Sequence, residues 1–260
     1  MMEIAVKAAK EAGNVLLDNF GKVKEIKTKR QNNILSLVSN VDIEAEEKIC
    51  HVIREIYPEH NILSEEGMNV SKNSDYKWII DPLDGTHNYI RNIPFFGICI
   101  ALAYRGEVLL GVIYLPYFSE MFTAEKGKGA YLNEGKIEVS KKGLKESMLI
   151  YDSDLHLDKA IMFGSLNRLV GKVFNVRMFG SSAQNLSFLA RGYVDLVIEY
   201  HDNPWDFSAG ALLVEEAGGK VTNFEGNKWS PDVGRYVASN GNVHNEVLKI
   251  LKRERQKKQD

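Results

Sequence analysis

Apolar residues recur every three or four positions in two stretches near the start of the chain. Residues 4–20 follow this pattern and predict one helix, and residues 42–56 predict a second helix that is capped by Ser39 or Asn40. On the second helix we expect one apolar face, made of Ile43, Ile49, Val52, Ile53 and Ile56. The polar, lysine-rich stretch 22–33 between the two helices predicts a strand or a hairpin.

The middle of the chain changes to the short apolar runs that are typical of β-strands. Residues 97–104 and 108–114 flank Arg105-Gly106, which predicts a hairpin, and the runs 121–124 and 129–132 extend it into a meander. The polar stretch 140–146 that follows is the best candidate for a connection between two halves of the protein.

Strand and helix patterns alternate in the second half of the chain. The predicted strands are 148–151, 173–178, 194–199 and 236–238, and the predicted helices are 159–169, 181–190, 206–217 and a last one from about residue 242. This alternation favours a layered α/β fold.

Length, charge and cysteine content narrow the class of protein. The 260 residues suffice for one large domain or two small ones, and the net charge of −2 gives no field that favours nucleic acid or an anionic membrane. No apolar run is long enough to span a bilayer, and the N-terminus lacks a signal-peptide pattern. Cys50 and Cys99 fall in a helix and a strand pattern, so we expect two buried, reduced thiols in a cytoplasmic protein.

The segment Asp81-Pro82-Leu83-Asp84-Gly85-Thr86 carries the strongest chemical signal. It follows the apolar run Trp78-Ile79-Ile80, which predicts the end of a buried strand. Two carboxylates at this spacing can share hard divalent cations such as Mg²⁺, and the amides of Gly85 and Thr86 can bind an anion where a helix begins. A metal beside an anion site indicates phosphoryl chemistry. The same residue types also build ordinary tight turns, so other segments have to decide between the two interpretations.

Three further acidic segments are compatible with the same site. Glu65 and Glu66 come after the apolar pair Ile62-Leu63, at a predicted strand end of the kind where α/β sheets place active sites. Asp206 follows a Pro-Trp pair, and Asp42 opens the second predicted helix. Either of these two could equally be a helix cap or a first-turn acid with no further role.

Taken together, these segments resemble the inositol monophosphatase family of Mg²⁺-dependent, lithium-sensitive phosphatases. The first family motif, Trp-x-x-Asp-Pro-hydrophobic-Asp-Gly-Thr with an aromatic residue shortly after, runs here from Trp78 to Tyr89. The second motif, Trp-Asp with small residues and then an acid before Ala-Gly-Gly, runs from Trp205 to Gly219. The resemblance covers about residues 6–251 and implies a five-layer α-β-α-β-α sandwich of the α/β class. It implies a single domain over residues 1–260, with halves at about 1–143 and 144–252 and a charged tail at 253–260.

The resemblance also implies the metal ligands and the catalytic residues. Two or three Mg²⁺ ions are expected, and Mn²⁺ is a suitable substitute. The implied ligands are Glu65, Asp81 and the Leu83 carbonyl for the first ion, Asp81, Asp84 and Asp206 for the second, and Glu65 again for a weaker third. Thr86, supported by Asp42, would orient the attacking water, and the amides of Gly85 and Thr86 would hold the substrate phosphate.

For the rest of the substrate, the resemblance points to Asp84, Ser182 and Glu199, with Glu199 accepting a substrate hydroxyl. Relatives that also cleave fructose 1,6-bisphosphate often have an arginine five residues before the Trp-Asp aspartate, where this chain has His201. Arg177 matches a second basic residue of those relatives. Arg177 could bind a second phosphate, with pH-dependent help from His201, or it could be an ordinary cation at a strand edge.

We therefore expect the hydrolysis of a phosphate monoester, with inositol-1-phosphate as the first choice. The main alternative is a broader enzyme that also cleaves fructose 1,6-bisphosphate. Nucleotide 3′-phosphates rank lower because no extra aromatic cluster for base stacking is evident. A haloacid dehalogenase mechanism is rejected, since this chain has one residue more between its two acids than that motif. The stretch 30–36 differs from the shorter loop of the family and leaves lithium sensitivity and the number of metals open.

A regulatory binding protein on the same scaffold is the alternative of another class, and only the basic residues of the tail invite it. Since none of the expected acids is missing, catalysis is favoured. We expect a homodimer on the resemblance alone, and no membrane, nucleic-acid or transcription-machinery partner.

Overall fold

The computed structural model describes residues 1–22, 26–31 and 34–252. These ranges form a mixed α/β fold on two large β-sheets, and none of the helices within them has the length and apolar character to cross a membrane. A separate antiparallel pair, β1 (Ile26–Gln31) and β2 (Ile34–Ser39), begins in the predicted lysine-rich stretch. Residues 23–25 and 32–33 of that stretch and the predicted tail 253–260 lie outside the described residues.

A seven-stranded sheet is built from consecutive segments of the first half of the chain, in the order β3-β4-β5-β6-β7-β8-β9. Its strands are β3 (Asn61–Ser64), β4 (Tyr76–Asp84), β5 (Gly97–Tyr104), β6 (Glu107–Leu115), β7 (Glu120–Glu125), β8 (Gly129–Leu132) and β9 (Gly135–Ile137). β3 pairs parallel to β4, and the other neighbours pair antiparallel. The predicted hairpin turn is confirmed, because Arg105 and Gly106 both have the positive φ of a tight two-residue loop.

A five-stranded sheet uses the second half of the chain, in the order β11-β10-β12-β14-β13. Its strands are β10 (Met148–Tyr151), β11 (Asn175–Arg177), β12 (Leu196–Glu199), β13 (Lys220–Thr222) and β14 (Tyr236–Ser239). β10 pairs parallel to both β11 and β12, so the carboxyl ends of these strands lie at the same edge. Side chains that follow such ends are the usual components of sites in α/β proteins.

Three pairs of helices complete a five-layer α-β-α-β-α sandwich, which confirms the predicted fold. The helices are α1 (Met2–Asn19), α2 (Asn40–Ile56), α4 (Lys159–Leu169), α5 (Ser182–Ala190), α6 (Pro204–Glu216) and α7 (His244–Lys252), and α3 (Thr86–Tyr89) is a single turn. The pair α1 and α2 shares one apolar core with the larger sheet, and α4 and α7 share another with the smaller sheet. The pair α5 and α6 lies in a third core between the two sheets.

Helix α6 packs very closely on the larger sheet because β6 has a glycine at the point of contact. A Cβ atom on Gly111 would lie 2.7 Å from the carbonyl oxygen of Ala209. The glycine therefore lets the backbone of α6 approach the sheet, and this brings the start of α6 towards the end of β4.

Two expectations about helices need correction. Ile43 and Ile56 are 44% and 51% exposed, so they are not part of the buried face of α2. The helix begins earlier, at Asn40, and turns Val41 and Ala45 inward instead. Ser39 is confirmed as its cap.

Cys50 and Cys99 are buried free thiols, as expected.

Candidate active site

An open cleft of about 730 Å³ lies where the ends of β4 and β12 meet the starts of α5 and α6. The predicted site residues that line it are Glu65, Asp81, Leu83, Asp84, Gly85, Thr86, Ser182, Glu199, His201 and Asp206. Asp42 is hydrogen-bonded to Thr86 from outside the lining, and Arg177 does not belong to the lining. The cleft thus collects residues that are more than 140 positions apart in the sequence, from Glu65 to Asp206.

Three carboxylates from two segments meet in this cleft. Oxygen atoms of Asp81, Asp84 and Asp206 lie within 4.8 Å of one another. Asp81 and Asp84 still belong to β4, and the register of the strand shifts between them. Asp206 is not the helix cap: that position is Asn203, whose backbone N–H donates to Asp206 Oδ2 at 2.5 Å. The capping box of α6 therefore also fixes the carboxylate that faces β4.

Burial and mutual repulsion make this group unfavourable without a cation. Asp81 is 1% exposed and Asp84 is 7% exposed. Burial first, and then the charge of Glu65, raises the pKa of Asp81 well above its usual range. Burial also raises the pKa of Asp206. Closely spaced carboxylates that are removed from water fit a hard divalent cation, which takes oxygen ligands and offsets their repulsion.

Asp84 joins the larger sheet to α5. Its Oδ2 accepts hydrogen bonds from the Ser181 hydroxyl and from the backbone N–H of Ala183 at 2.9 Å, and Oδ1 accepts from the N–H of Ser182 at 3.2 Å. Burial raises the pKa of Asp84 to about 6, against the lowering effect of these hydrogen bonds. The carboxylate satisfies the free amides at the start of α5, so this helix and β4 are held in one arrangement.

Thr86 connects the cleft to the start of α2. Its Oγ1 lies 3.2 Å from Asp42 Oδ1 and 3.0 Å from the carbonyl oxygen of Leu83. Asp42 is fully buried, and Ser39 donates to its Oδ2 from both the hydroxyl and the backbone N–H. Burial raises the pKa of Asp42, while the hydrogen bonds from Ser39 lower it. Asp42 is therefore both a capping residue of α2 and the partner of Thr86.

Gly85 makes the sharp turn between the acids and α3 possible. Its φ is +82°, and a Cβ atom there would lie 2.7 Å from the carbonyl oxygen of Phe95. Both observations exclude a side chain. Within the described part of the chain, the backbone N–H groups of Gly85 and Thr86 donate no hydrogen bond, so two amides remain available beside the carboxylates.

Glu65 is positioned next to Asp81 by the edge of the sheet. Its backbone N–H donates to the carbonyl oxygen of Ile80 at 3.2 Å, and its carboxyl contacts that of Asp81. Glu46 of α2 also holds this segment, because its carboxylate accepts a hydrogen bond from Ser64 Oγ at 2.8 Å.

Glu46 is a structural residue that the sequence did not reveal. It is fully buried, and besides Ser64 it accepts the backbone N–H groups of Glu66 and Met68, both at 2.7 Å. One carboxylate therefore fixes the chain on both sides of Glu65.

The other half of the cleft surrounds the predicted substrate residues Ser182 and Glu199. Ser182 Oγ donates to Asp202 Oδ2 at 2.9 Å, and the Tyr236 hydroxyl donates to the same oxygen at 2.8 Å. Asn185 Nδ2 donates to Glu199 Oε1 at 2.8 Å. Burial raises the pKa of Glu199 well above its usual range and that of Asp202 to about 8.

Asp152, Glu199 and Asp202 form what we call the second acid cluster, and sequence reasoning missed two of its members. Asp152 follows β10 directly, and Glu199 ends the neighbouring parallel strand β12. The rule that sites lie at the carboxyl ends of parallel strands could have found Asp152. Asn185 gave no signal, since a polar residue inside a helix is usually a surface residue.

The two basic residues that the sequence singled out have different positions. Arg177 ends the edge strand β11, where it is exposed and donates to the carbonyl oxygen of Val176 at 2.9 Å. His201 lines the cleft, and its Nε2 is buried without a hydrogen-bond partner among the described residues. The structure therefore brings His201 to the site and leaves Arg177 outside its lining.

The layered sandwich and the cleft of clustered carboxylates are those of a metal-dependent phosphoric monoester hydrolase. Comparison with known families agrees with this class. The chain belongs to the inositol monophosphatase family, whose sequence profile matches residues 1–256.

Individual relatives carry two kinds of name. A Thermotoga maritima protein named fructose-1,6-bisphosphatase/inositol-1-monophosphatase is 34% identical over 250 residues, covering 96% of this chain and 95% of its own length. A Haemophilus influenzae protein named Nus factor SuhB is 37% identical over 256 residues, covering 97% of this chain and 96% of its own length. The crystal structure of extragenic suppressor protein suhB from Bartonella henselae has a TM-score of 0.91 at 33% identity, covering 97% of this chain and 98% of the other.

Proposed function

We propose that this protein hydrolyses a phosphate monoester, inositol-1-phosphate in the first place, with the help of Mg²⁺ held by its clustered carboxylates. The observation that carries the proposal is the approach of Asp81, Asp84 and Asp206 to within 4.8 Å of one another, beside two available amides. The oxygen-only donor set favours Mg²⁺, with Mn²⁺ as a substitute.

Each ligand has a proposed place in this metal centre. Glu65, Asp81 and the Leu83 carbonyl would bind one ion, Asp81, Asp84 and Asp206 a second, and Glu65 would assist a third. When bound, divalent cations neutralise phosphate oxygens, make water more acidic and stabilise the leaving oxygen.

The side chains around the metal centre would orient the reactants. The Thr86 hydroxyl donates a hydrogen bond to Asp42 or to the Leu83 carbonyl. The lone pairs of Thr86 Oγ1 are therefore left to accept a hydrogen bond from the attacking water. The amides of Gly85 and Thr86 would hold the phosphate, since backbone N–H groups are suitable anion donors. Ser182 and Glu199 would contact the alcohol that leaves.

The substrate range has one broader alternative. The name of the Thermotoga maritima relative favours an enzyme that also cleaves fructose 1,6-bisphosphate. The exposed position of Arg177 outside the cleft lining favours the narrower substrate, because a second phosphate would find only His201 of the two predicted basic residues there.

A contact with the transcription machinery is a second candidate function. The sequence alone did not favour it, but the name Nus factor SuhB of a relative with 37% identity does. The purified chain and a variant that cannot hydrolyse phosphate should be compared for binding to a transcription elongation complex. Equal binding by both would support a separate regulatory function, and no binding by either would exclude it.

We also propose a homodimer. Exposed apolar side chains are concentrated in α4 and the segment after it: Ile161 (37% exposed), Phe163 (53%), Val170 (56%) and Phe174 (71%). Light scattering should give twice the 29.4 kDa mass of the chain.

Lithium sensitivity and a cytoplasmic location stay predictions.

The test is phosphate release from inositol-1-phosphate, fructose 1,6-bisphosphate and a nucleotide 3′-phosphate, with Mg²⁺ and with EDTA. We expect Mg²⁺-dependent release that is fastest for inositol-1-phosphate. Asp81→Asn should lower it by more than the roughly 10–100-fold that follows the loss of an outer-shell partner. Asp232→Asn, at an exposed acid outside the cleft lining, should keep full activity. Undiminished activity in EDTA, or in the Asp81 variant, would contradict the proposal.

A further inference from the structure

Besides the metal ligands and the proposed substrate residues Ser182 and Glu199, the cleft contains polar side chains to which the proposed function gives no role, among them Asp202 and Asn185. We propose that Asp202, with Glu199 and Asn185, forms a subsite that accepts hydrogen bonds from the leaving alcohol and rejects an alcohol that carries a second phosphate. This inference rests on the proposed function, and it names the class of substrate: a monophosphate whose alcohol offers hydroxyl or ammonium groups.

The first observation is an excess of acceptors. The hydrogen bonds to Asp202 from Ser182 and Tyr236 both reach Oδ2, and the bond to Glu199 from Asn185 reaches Oε1. In the part of the chain that the structure describes, Asp202 Oδ1 and Glu199 Oε2 accept none. Both residues line the cleft. One oxygen of each carboxylate is thus available to a ligand.

The second observation is independent and concerns a neutral side chain. Asn185 lines the cleft and is only 3% exposed, yet its Oδ1 has no hydrogen-bond partner among the described residues. A buried acceptor without a donor is costly, and few are tolerated in a folded protein. A ligand that donates a hydrogen bond at this position would remove that cost.

These acceptors select by hydrogen bonding. Hydroxyl and ammonium groups donate, so a polyol or an amino alcohol matches the subsite. A phosphate dianion can only accept, so it would leave Asp202, Glu199 and Asn185 without a donor.

The charges in this half of the cleft also disfavour a second phosphate. Apart from the proposed metal ligands, the acids in the lining are Asp152, Asp154, Glu199 and Asp202, and Arg235 is the single guanidinium among the described lining residues. Arg235 is exposed, and its guanidinium lies over the rings of Tyr200 and Phe224, 5.2 Å and 5.4 Å from their centroids.

Burial, and then repulsion from Asp202 and Asp152 in the second acid cluster, raises the pKa of Glu199. A second phosphate would add to this repulsion, and an ammonium group would relieve it.

The experiment uses three esters with one carbon skeleton: glucosamine 6-phosphate, glucose 6-phosphate and glucose 1,6-bisphosphate. Whichever phosphate of the bisphosphate is cleaved, the other belongs to the leaving alcohol. With Mg²⁺ at neutral pH, we expect kcat/KM to decrease in the order given. Bound Mg²⁺ would offset the charge of Asp84, which is one of the charges that raise the pKa of Asp202 in the metal-free protein, and would therefore favour the ionised carboxylate. Asp202→Asn should then bring both the amino ester and the bisphosphate closer to glucose 6-phosphate, each by roughly tenfold, because one nearby charge is removed.

Asp232→Asn is the matched control, since it removes an exposed acid outside the cleft lining and should leave all ratios unchanged. Melting curves should show that both variants are folded. A wild-type protein that cleaves the bisphosphate as efficiently as glucose 6-phosphate would overturn the inference. So would ratios that are identical in the wild type and the Asp202 variant.

The failure of the proposed function would look different. If neither inositol-1-phosphate nor any of the three esters is cleaved in Mg²⁺, the phosphatase proposal fails, and the subsite is then tested by the dissociation constants of the same three esters. The same order of affinity, reduced in Asp202→Asn, would support the subsite, and equal affinities would exclude it.

Discussion

At the scale of single residues, one carboxylate can serve both the fold and the chemistry. Asp42 closes the capping box of α2 with Ser39 and also contacts the hydroxyl of Thr86 in the cleft. From the sequence, a first-turn acid and a site residue were alternatives for Asp42. The geometry shows that its two oxygens divide these contacts, Oδ2 towards Ser39 and Oδ1 towards Thr86.

Replacing Thr86 tests the orientation of the attacking water. Thr86→Ala removes the hydroxyl, and we expect kcat to fall by about 10²–10⁴, the range of a lost acid–base or orienting group. KM should change much less, because the amides proposed to hold the phosphate are unaffected. Steady-state kinetics on the best substrate measures both constants.

Thr86→Ser is the control for this prediction, since it keeps the hydroxyl and loses only a methyl group. It should recover most of the lost kcat. If the serine variant were as inactive as the alanine variant, the methyl group rather than the hydroxyl would be the important part of Thr86.

At the scale of helices and strands, local patterns predicted element types better than their ends. The Asp81 motif was expected after a strand, but β4 continues through Asp84 with a shift of register. A helix cap was the alternative interpretation of Asp206, but Asp206 is the third residue of α6, because Asn203 takes the cap. β4 is extended by the pairing of Asp84 with Gly97 of β5, a contact that a local window around the motif does not contain. The cap of α6 is a local choice between Asn203 and Asp206, and both residue types are suited to it.

In the candidate site too, some residues could be predicted from the sequence and others could not. The residues of the two motifs could be found because their spacing is local. Asp202 and Asn185 could not, since their importance comes from the meeting of α5 with the end of β12. Glu46 was hidden too, because an acid within an amphipathic helix is normally a surface residue.

Glu46 allows a test of how α2 supports the metal centre. Glu46→Ala leaves the Ser64 hydroxyl and the amides of Glu66 and Met68 without their acceptor. Each buried donor without a partner costs about 1–3 kcal/mol, so the free energy of unfolding should decrease. The segment around Glu65 would also lose its support. We therefore expect a higher Mg²⁺ concentration for half-maximal activity, measured well below the melting temperature.

The neighbouring acid provides the control. Glu47 is exposed on the same helix, so Glu47→Ala should affect neither stability nor the Mg²⁺ requirement. A Glu46 variant that is less stable but has the normal Mg²⁺ requirement would show that Glu46 supports the fold without positioning Glu65.

At the scale of the whole molecule, the cleft concentrates buried acids where two sheets and the α5–α6 pair meet. Asp81, Asp206 and Glu199 all have a pKa that burial raises well above the usual range. Without cations, this concentration of charge opposes folding at neutral pH. Stability and metal binding are therefore linked, because any ion that binds the folded state shifts the equilibrium towards it.

The pH dependence of stability in EDTA tests this link at Asp202. Its ordinary pKa of 3.8 is raised to about 8 in the folded protein, by burial first and then by the charge of Asp152. Between these values the folded state keeps a proton that the unfolded state has released. The free energy of unfolding therefore decreases as the pH rises, and the contribution is fully present only at low pH. Asp202→Asn should make the fall in melting temperature between pH 5 and pH 8 smaller by at least about 2–4 °C, which is the shift that about 1 kcal/mol produces. Asp232→Asn should follow the wild type, and parallel curves for the wild type and Asp202→Asn would contradict the prediction.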